Sequence, residues 1–376
     1  MIPPEDIERL IRPEFKNMEA YTPIEPTDIL SQRIEIPQEK VIKLDGNENP
    51  YGCSARVKQA LANYAHYHLY HDPEHRELRK ALAEYTGISS EYILAGSGSD
   101  ELIDLILRLF VEPGDKVINC PPTFGMYPFS TDVCVGKVVN IPRKQDFSVN
   151  VSAIEEAIDK RTKVVFIASP NNPSGNITPE QIILELLNSG IVVVIDEAYF
   201  EFSNVTVASL VPKYSNLIVL RTFSKWAGLA GLRVGYGIFP TKIVKYLMKI
   251  KQPYNVNAAA QVAALESLKD MSYLRGTIKA IIDERERLLT KLSQLDWLKV
   301  YPSQANFILC SVLNGKAKAI YEGLQKKGIF VRYFDTPRLK DCLRISVGKP
   351  EHTDALIAAL KKDRLMWHLS KRIKRG

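Results

Sequence analysis

A lysine flanked by hydroxyl side chains and glycines stands in the stretch LRTFSKWAGLAGLRVGYG, residues 220–237. Lys225 directly follows Ser224, Thr222 lies three residues before it, and Arg233 lies eight residues after it. Hydroxyls and a guanidinium are donors that suit phosphate oxygens. A lone lysine is most often solvated, but this grouping indicates an anion bound beside an amine.

A carboxylate, Asp196, ends the apolar run IVVVI. This position is costly in free energy unless a cation or several hydrogen-bond donors meet the carboxylate. Taken alone, Asp196 is more simply a cap or turn residue, and Tyr199, three residues later, is an ordinary packed aromatic. Asn172 follows a second apolar stretch, KVVFIASP, and brings an amide to the same kind of position.

Together these side chains match what a phosphorylated pyridine aldehyde, pyridoxal 5'-phosphate, requires of a protein. It needs an amine for a Schiff base, an anion for its ring nitrogen, donors for its ring oxygen and a phosphate site. Lys225 supplies the amine, and Asp196 would keep the ring nitrogen protonated so that the ring withdraws electrons. Asn172 and Tyr199 supply the donors, while Phe124 either stacks on the ring or is a core aromatic.

The predicted phosphate site has two halves. In GSGSDELIDLILRLF, residues 96–110, a glycine turn precedes an amphipathic helix and presents the backbone N–H groups of Ser99 and Asp100 to an anion. A plain helix cap explains either residue equally well. Thr222, Ser224 and Arg233 form the other half through two hydroxyls and a guanidinium.

Short apolar strands alternating with amphipathic helices must position these residues. Between about residues 90 and 240 the strand candidates are YILAGSG, KVINCPP, KVVFIASP, IVVVIDEAY and LIVLRTFS. Continuous apolar runs are typical of parallel strands buried on both faces, so we predict an α/β fold with a mainly parallel sheet flanked by helices. Ligands of such sheets bind outside the carboxyl ends of the strands. We therefore expect Phe124, Asn172, Asp196 and Lys225 to meet at one crevice.

The pattern changes after QPYNVN, residues 252–257. Helical stretches around 258–294 are followed by NFILCSV, IFVRYF and CLRISVG, half-alternating strands that predict a smaller α+β domain. We predict an N-terminal arm at 1–44 that packs with the small domain. A large cofactor-binding domain at 45–270 and a small C-terminal domain with a basic tail at 271–376 complete the division.

Composition excludes several classes of protein. The chain has 376 residues, 45% hydrophobic and 25% charged, as expected of a globular protein with room for two domains. Its net charge is +7, and residues 361–376, with seven Lys or Arg against one Asp, carry most of it. The rest of the chain is nearly neutral, so we expect no nucleic-acid binding. Five scattered cysteines favour a reducing compartment. Without a signal-length or 18-residue apolar run, we expect a cytoplasmic protein with no membrane association.

The motifs SPNNPSG, IDEAYFEF and TFSKWAGLAGLRVGYG, in this order, resemble those of the fold-type I pyridoxal-phosphate aminotransferases. Within that group, KLDGNENPYG, YHDPEHRELRKALAEYTG, SGSDELIDLI, CPPTFGMY and CLRISVG resemble the histidinol-phosphate aminotransferase family of histidine biosynthesis. The resemblance covers nearly the whole chain. It implies a ping-pong reaction through a lysine aldimine, in which histidinol phosphate and 2-oxoglutarate are interconverted with imidazole acetol phosphate and glutamate.

The resemblance also implies roles for particular residues. Lys225 would be the Schiff-base lysine and the acid/base that moves a proton between the substrate α-carbon and the cofactor C4′. Tyr51, in NENPYG, would reach the phosphate of the partner subunit's cofactor, which implies a homodimer with composite sites. Arg332 and Arg344 match the arginines that hold the anionic end of the substrate, and Tyr21 matches an arm residue that covers it.

Two positions depart from the family pattern. Phe124 stands where a tyrosine is common, which keeps a stacking ring but removes a hydroxyl, and YHDP replaces the common YPDP. The neighbouring histidines are His66, His68, His71 and His75. Their spacing fits no standard metal motif, so we expect a plain loop and no metal. Residues 361–376 extend past the family's usual end, and we interpret them as a solvated helix end.

Other functions fit the same fold. An aromatic amino acid aminotransferase and a threonine-phosphate decarboxylase would share most of these motifs. A non-catalytic sensor that keeps the fold would need a DNA-binding helical module at one end, and residues 1–44 show none.

Overall fold

The computed structural model describes residues 4–16, 18–313 and 315–373. Its strands are β1 Ile42–Leu44, β2 Ile93–Gly96, β3 Lys116–Asn119, β4 Lys137–Asn140, β5 Thr162–Ala168, β6 Val192–Asp196, β7 Leu217–Thr222, β8 Gly235–Ile238, β9 Leu298–Val300, β10 Phe307–Val312, β11 Ile329–Tyr333 and β12 Cys342–Ser346. Its α-helices are α1 Pro13–Lys16, α2 Thr27–Ile34, α3 Ala55–Asn63, α4 Arg76–Thr86, α5 Gly98–Phe110, α6 Met126–Val133, α7 Val151–Ala157, α8 Glu180–Leu187, α9 Phe200–Ser203, α10 Thr241–Ile250, α11 Ala258–Lys269, α12 Met271–Ser293, α13 Ala317–Gln325 and α14 Pro350–Ile373.

The larger sheet has the strand order β2-β8-β7-β6-β5-β3-β4. Strands β4, β3, β5, β6 and β7 are parallel, and β8 runs antiparallel to both of its neighbours. The predicted mainly parallel sheet is therefore confirmed. Because β3, β5, β6 and β7 are adjacent and parallel, their carboxyl ends lie along one edge of the sheet.

Both faces of this sheet are buried, which explains why its strands read as continuous apolar runs. In β6, Val193 and Ile195 pack into one hydrophobic cluster while Val194 packs into another on the opposite face. Val219 and Ile218 of β7 divide in the same way. Helices must cover both faces of a parallel sheet, so the central positions of β6 and β7 are apolar. The buried polar side chains of these two strands stand near their carboxyl ends: Asp196 in β6, and Arg221 and Thr222 in β7.

The smaller sheet has the order β1-β11-β12-β10-β9. Strand β1 pairs in parallel with β11, so the chain around residue 42 lies beside residue 329. Strands β11 and β12 are antiparallel, and their register sets Arg332 opposite Arg344. This mixed sheet with its helices confirms the predicted smaller α+β part, while the domain boundaries at residues 44/45 and 270/271 stay a prediction.

The histidine-containing loop before α4 is only partly solvated. His66 and His68 are exposed, whereas His75 is 1% exposed, and its ring stacks on that of His71 with centroids 5.9 Å apart. The described residues contain no group of three or more His, Cys, Asp or Glu side chains placed to hold a metal ion. His75 is therefore a packed residue, which the expectation of a plain loop did not foresee.

The C-terminal residues continue the last helix. Residues 361–373 of the predicted basic tail lie in α14, and residues 374–376 fall outside the described residues. Among the described helices, none combines the length and apolar character that a membrane span requires.

Candidate active site

The predicted crevice lies at the carboxyl edge of the larger sheet. Asp196 is the last residue of β6, and Lys225 follows the end of β7 by three residues. Asn172 follows the end of β5 by four residues, and Phe124 lies between β3 and α6. Since these strands are adjacent and parallel, the structure brings the four side chains to one edge of the sheet, as predicted.

Asp196 is 4% exposed and is held by two neutral donors. Its Oδ2 accepts a hydrogen bond of 2.6 Å from the Tyr127 hydroxyl, and its Oδ1 accepts one of 3.0 Å from the Ala198 N–H. Burial raises the pKa of the Asp196 carboxyl to about 6, and these two hydrogen bonds act against that rise. Because both partners are neutral, the negative charge is available to a cationic ring nitrogen.

Tyr127 is a site residue that sequence reasoning missed. It lies in α6, is fully buried, and stacks on Phe166 with ring centroids 4.8 Å apart. Burial raises the pKa of its phenol well above the usual value, so Tyr127 keeps its proton and acts as a donor to Asp196. A buried tyrosine hydroxyl usually has a hydrogen-bond partner, but the sequence does not show which of the 17 tyrosines are buried.

The surroundings of Lys225 favour the uncharged form of its amine more than water does. Its Nζ donates a hydrogen bond of 3.0 Å to the backbone oxygen of Gly46. Burial, together with the positive charge of Arg344, lowers the pKa of Lys225 from 10.5 to about 8. An amine with this pKa is a far better nucleophile near neutral pH than an ordinary lysine.

We expect Lys225 in the cofactor-free protein to be acetylated by a limiting amount of acetic anhydride with a midpoint near pH 8, because only the neutral amine reacts. Peptide mass spectrometry over a pH series measures this midpoint. In Arg344→Met the midpoint should rise, since the positive charge that lowers the pKa of Lys225 is gone. A wild-type midpoint close to the ordinary value of 10.5 would contradict the predicted environment of the amine.

The predicted phosphate ligands lie together beside Lys225. The Thr222 hydroxyl donates to the Ser224 hydroxyl at 3.0 Å, and Nη1 of Arg233 lies 3.4 Å from the same Ser224 oxygen. Nη2 of Arg233 pairs with Asp100 at 2.7 Å. The two halves of the predicted phosphate site, one after β7 and the other at the start of α5, therefore meet through the Arg233–Asp100 ion pair.

Two positions beside the predicted phosphate site, Gly98 and Gly235, have no room for a side chain. Gly98, the first residue of α5, has φ +77°, and a Cβ there would lie 2.6 Å from Nη2 of Arg233. A Cβ on Gly235 would lie 2.7 Å from the backbone nitrogen of Ser99. A phosphate needs hydrogen-bond donors around a space that no side chain fills. Here the donors are the start of an α-helix, two hydroxyls and a guanidinium.

Arg344 is 6% exposed and faces the crevice from the smaller sheet. Its Nη1 donates a hydrogen bond of 2.7 Å to the amide oxygen of Asn172, and its Nη2 donates to the backbone oxygen of Asp45. Its Nε is buried and has no hydrogen-bond partner within the described part of the chain. Alternation along β12 is compatible with either a solvent-facing or a buried Arg344. The observed burial and the spare donor suit an arginine that binds an anion.

The two predicted donors to a ring oxygen are also constrained. The amide oxygen of Asn172 is used by Arg344, which leaves its NH₂ group to donate to another partner. Tyr199 is 6% exposed, and its hydroxyl oxygen accepts a hydrogen bond of 2.9 Å from Nδ2 of Asn47. Burial is the main cause that raises the pKa of Tyr199, so the phenol keeps its proton.

The remaining predicted residues lie around the crevice. Phe124 is partly buried and meets Tyr127 edge-on, with centroids 5.6 Å apart. Tyr21 is 42% exposed, and its ring packs beside Gly125, where an added Cβ would lie 3.3 Å from the ring. The N-terminal segment therefore reaches the loop that carries Phe124. Arg332 is partly buried, and its Nη2 lies 3.4 Å from the Thr22 backbone oxygen.

Tyr51 is partly buried, with its ring 5.8 Å from the Lys349 ammonium. Its backbone oxygen accepts a hydrogen bond of 3.2 Å from the Tyr273 hydroxyl. The predicted contact of its side chain is with a second copy of the chain, and it stays a prediction.

Known proteins resemble this chain over almost its whole length. The family described as aminotransferase class I and II matches residues 39–360. Histidinol-phosphate aminotransferase of Dehalococcoides mccartyi strain ATCC BAA-2266 is 50% identical over 355 residues, which cover 94% of this chain and 98% of that protein. The protein of the same name from Roseiflexus castenholzii is 48% identical over 368 residues, covering 96% of this chain and 99% of that protein.

Solved structures agree with these relatives. Histidinol-phosphate aminotransferase from Sinorhizobium meliloti, in complex with pyridoxal-5'-phosphate, superposes with a TM-score of 0.86 at 27% identity, covering 94% of this chain and 96% of that chain. Aspartate aminotransferase from Thermus thermophilus, with a TM-score of 0.77 at 21% identity over 92% of this chain and 100% of that chain, shares the fold. The chain therefore belongs to the histidinol-phosphate aminotransferase family within the class I and II aminotransferases.

Proposed function

We propose that this chain transfers the amino group of L-histidinol phosphate to 2-oxoglutarate, with pyridoxal phosphate at the carboxyl edge of the larger sheet. The observation that carries the proposal is a partly buried lysine and a buried aspartate at adjacent strand ends, faced by a buried arginine with a spare donor. The 50% identity to a histidinol-phosphate aminotransferase supports the choice of substrate.

The residues around Lys225 fit the cofactor. When bound, pyridoxal phosphate supplies an electron sink that stabilises negative charge on the substrate α-carbon. Asp196 would hold its ring nitrogen, and the Tyr199 hydroxyl with the NH₂ group of Asn172 would donate to its ring oxygen. Thr222, Ser224 and Arg233, with the backbone at Ser99 and Asp100, would hold its phosphate, and Phe124 would cover a face of its ring.

Lys225 is both the anchor for the cofactor and the group that moves the proton. With the cofactor bound, its Nζ would take the proton from the substrate α-carbon and would carry it to C4′ of the cofactor. A pKa near 8 leaves both protonation states populated close to neutral pH, which is the condition for acid and base catalysis by one group.

One anionic subsite must accept two different groups. Histidinol phosphate has no α-carboxylate and presents a phosphate, whereas glutamate enters the same site with a carboxylate. Arg344 provides one guanidinium, and the strand register places Arg332 directly opposite it. Two guanidiniums suit a dianionic phosphate better than a monoanionic carboxylate. Tyr21 would close over this end of the substrate.

We expect Arg332→Ala to weaken the reaction of histidinol phosphate more than that of glutamate, and Arg344→Ala to weaken both, each by about 1.5–3 kcal/mol or more. Arg344 also holds Asn172 and the Asp45 backbone, so its loss disturbs the site for every substrate. Single-turnover kcat/KM for each half-reaction measures the effects, with the exposed Arg76→Ala as a control. Equal losses for the two substrates in Arg332→Ala would contradict a subsite in which Arg332 favours the phosphate of histidinol phosphate.

The proposed function is tested by the absorbance of the cofactor-loaded protein after separate additions of histidinol phosphate, glutamate, tyrosine and threonine phosphate. Histidinol phosphate and glutamate should each convert the bound cofactor to its amino form. Conversion by tyrosine in preference to histidinol phosphate would indicate an aromatic aminotransferase instead. Release of carbon dioxide from threonine phosphate would indicate the decarboxylase.

We also propose a cytoplasmic homodimer in which Tyr51 contacts the cofactor phosphate in the partner's site. All five cysteines are unpaired, as in proteins of reducing compartments. Sedimentation of the purified chain tests the dimer directly.

A further inference from the structure

A short segment, residues 45–47, links three of the proposed site residues. It directly follows β1, and its consecutive residues each contact one of them. The backbone oxygen of Asp45 accepts from Arg344, and that of Gly46 accepts from Lys225 at 3.0 Å. The side chain of Asn47 then reaches Tyr199.

Asn47 is 1% exposed, and each of its polar groups has a partner. Its N–H donates to the Ser346 hydroxyl at 2.9 Å, and that hydroxyl donates in turn to Oδ1 of Asn47 at 2.8 Å. Its backbone oxygen accepts from Nδ2 of Asn306 at 2.9 Å. Its Nδ2 donates to the Tyr199 hydroxyl oxygen at 2.9 Å. These bonds join strand β12 of the smaller sheet to the end of β6 in the larger one.

Ser346 determines which way the Asn47 amide points. The Ser346 oxygen already accepts from the Asn47 backbone N–H, so its own proton is free for the Asn47 side chain. An amide oxygen must receive that proton, which leaves the NH₂ group facing Tyr199. Tyr199 therefore accepts from Asn47 and keeps its own O–H proton for a different partner.

We propose that Asn47 is a positioning residue for the reaction, because it occupies the Tyr199 oxygen as a donor and so directs the Tyr199 proton toward the cofactor ring oxygen. This inference rests on the proposed function, which assigns Tyr199 to that oxygen. Asn47 itself would touch neither substrate nor cofactor and would act only through Tyr199.

The backbone at Asn47 permits a sharp comparison of variants. Asn47 has φ 53°, in the left-handed region that glycine, asparagine and aspartate adopt most readily. Asn47→Asp keeps the shape of the side chain but replaces the donor with an acceptor, which would take the Tyr199 proton for itself. Asn47→Gly keeps the backbone and removes the donor without adding an acceptor.

The pH titration of the absorbance of bound pyridoxal phosphate reads out the proton of Tyr199. A hydrogen-bond donor to the ring oxygen stabilises the deprotonated form of the bound cofactor. Loss of that donor therefore raises the apparent pKa at which the cofactor absorbance titrates. We expect Tyr199→Phe and Asn47→Asp each to raise it by about one unit or more, and Asn47→Gly to raise it less. In Asn47→Asp, kcat should fall by about tenfold or more, with little change in KM.

A double variant separates action through Tyr199 from a general effect of the new carboxylate. If Asn47 acts through Tyr199, Asn47→Asp changes the titration little once Tyr199→Phe is present. An equal shift in both backgrounds would overturn the inference. Thermal unfolding of the cofactor-free variants checks their folding, and Asn47→Gly serves for the same cycle if Asn47→Asp does not fold.

The outcomes also distinguish this inference from the proposed function. A shift in Tyr199→Phe without a shift in Asn47→Asp overturns the role of Asn47 alone. No shift in Tyr199→Phe would overturn the proposed role of Tyr199 and the inference with it, whereas transamination of histidinol phosphate would still stand on its own test.

Discussion

Replacing Lys225 with alanine is expected to abolish transamination while the fold and some binding of pyridoxal phosphate remain. The lysine is proposed both to anchor the cofactor and to carry the proton, so its loss should lower the turnover by at least about 10⁴-fold. The substitution removes one hydrogen bond, to the Gly46 backbone oxygen, and leaves the phosphate ligands in place. The variant should therefore bind the cofactor without reacting at a useful rate.

Single-turnover kinetics with histidinol phosphate measure the loss in Lys225→Ala, and Lys213→Ala, at an exposed lysine, is the matched control. Added methylamine should restore part of the activity at high concentration, because a free amine can carry the proton that Lys225 would carry. Turnover close to that of the wild type would refute the whole site assignment.

Much of the fold could be predicted because it depends on local pattern. The run IVVVID predicted a buried strand with a carboxylate at its end, and β6 spans Val192–Asp196 with Asp196 as its last residue. Phe124, Asn172 and Lys225 could be placed at the same edge because the ends of adjacent parallel strands meet. A single topological rule was enough to assemble these residues.

The contacts that orient the predicted residues could not be read from the sequence. Tyr127 is 69 residues from Asp196, Asn47 is 152 residues from Tyr199, and Ser346 is 299 residues from Asn47. Periodicity and motif spacing carry no information over such separations. Tyr127, Asn47 and Ser346 are polar residues whose importance comes only from the partner that the fold gives them.

Strand alternation alone could not predict the surroundings of Arg344. Alternation correctly separates Leu343 and Ile345, which pack in the main hydrophobic cluster, from Arg344 and Ser346 on the other face of β12. It leaves open whether that second face meets solvent or protein. The answer depends on the segment at residues 45–47, which covers this face through Asp45 and Asn47.

The charge of Asp196, more than its shape, is expected to govern the chemical step. Asp196→Asn keeps the volume of the side chain. Its amide oxygen can accept from the Ala198 N–H while its NH₂ group donates to the Tyr127 oxygen, but it cannot hold a ring nitrogen in its protonated form. The rate of the chemical step should fall by roughly 100- to 1,000-fold, the size expected when a preorganised charge is removed from a reacting centre. Cofactor occupancy should change much less, because the phosphate ligands are untouched.

A second Asp→Asn change in the same site provides the matched control for Asp196→Asn. Asp100 pairs with Arg233 at 2.7 Å in the phosphate cradle, so Asp100→Asn should reduce cofactor occupancy more than the rate per bound cofactor. Absorbance after dialysis gives the occupancy, and single-turnover kinetics give the rate per bound cofactor. If Asp196→Asn instead lost the cofactor while the remaining bound fraction reacted normally, Asp196 would be a binding residue only. The buried carboxylate at the end of β6 would then have no role in withdrawing electrons from the substrate.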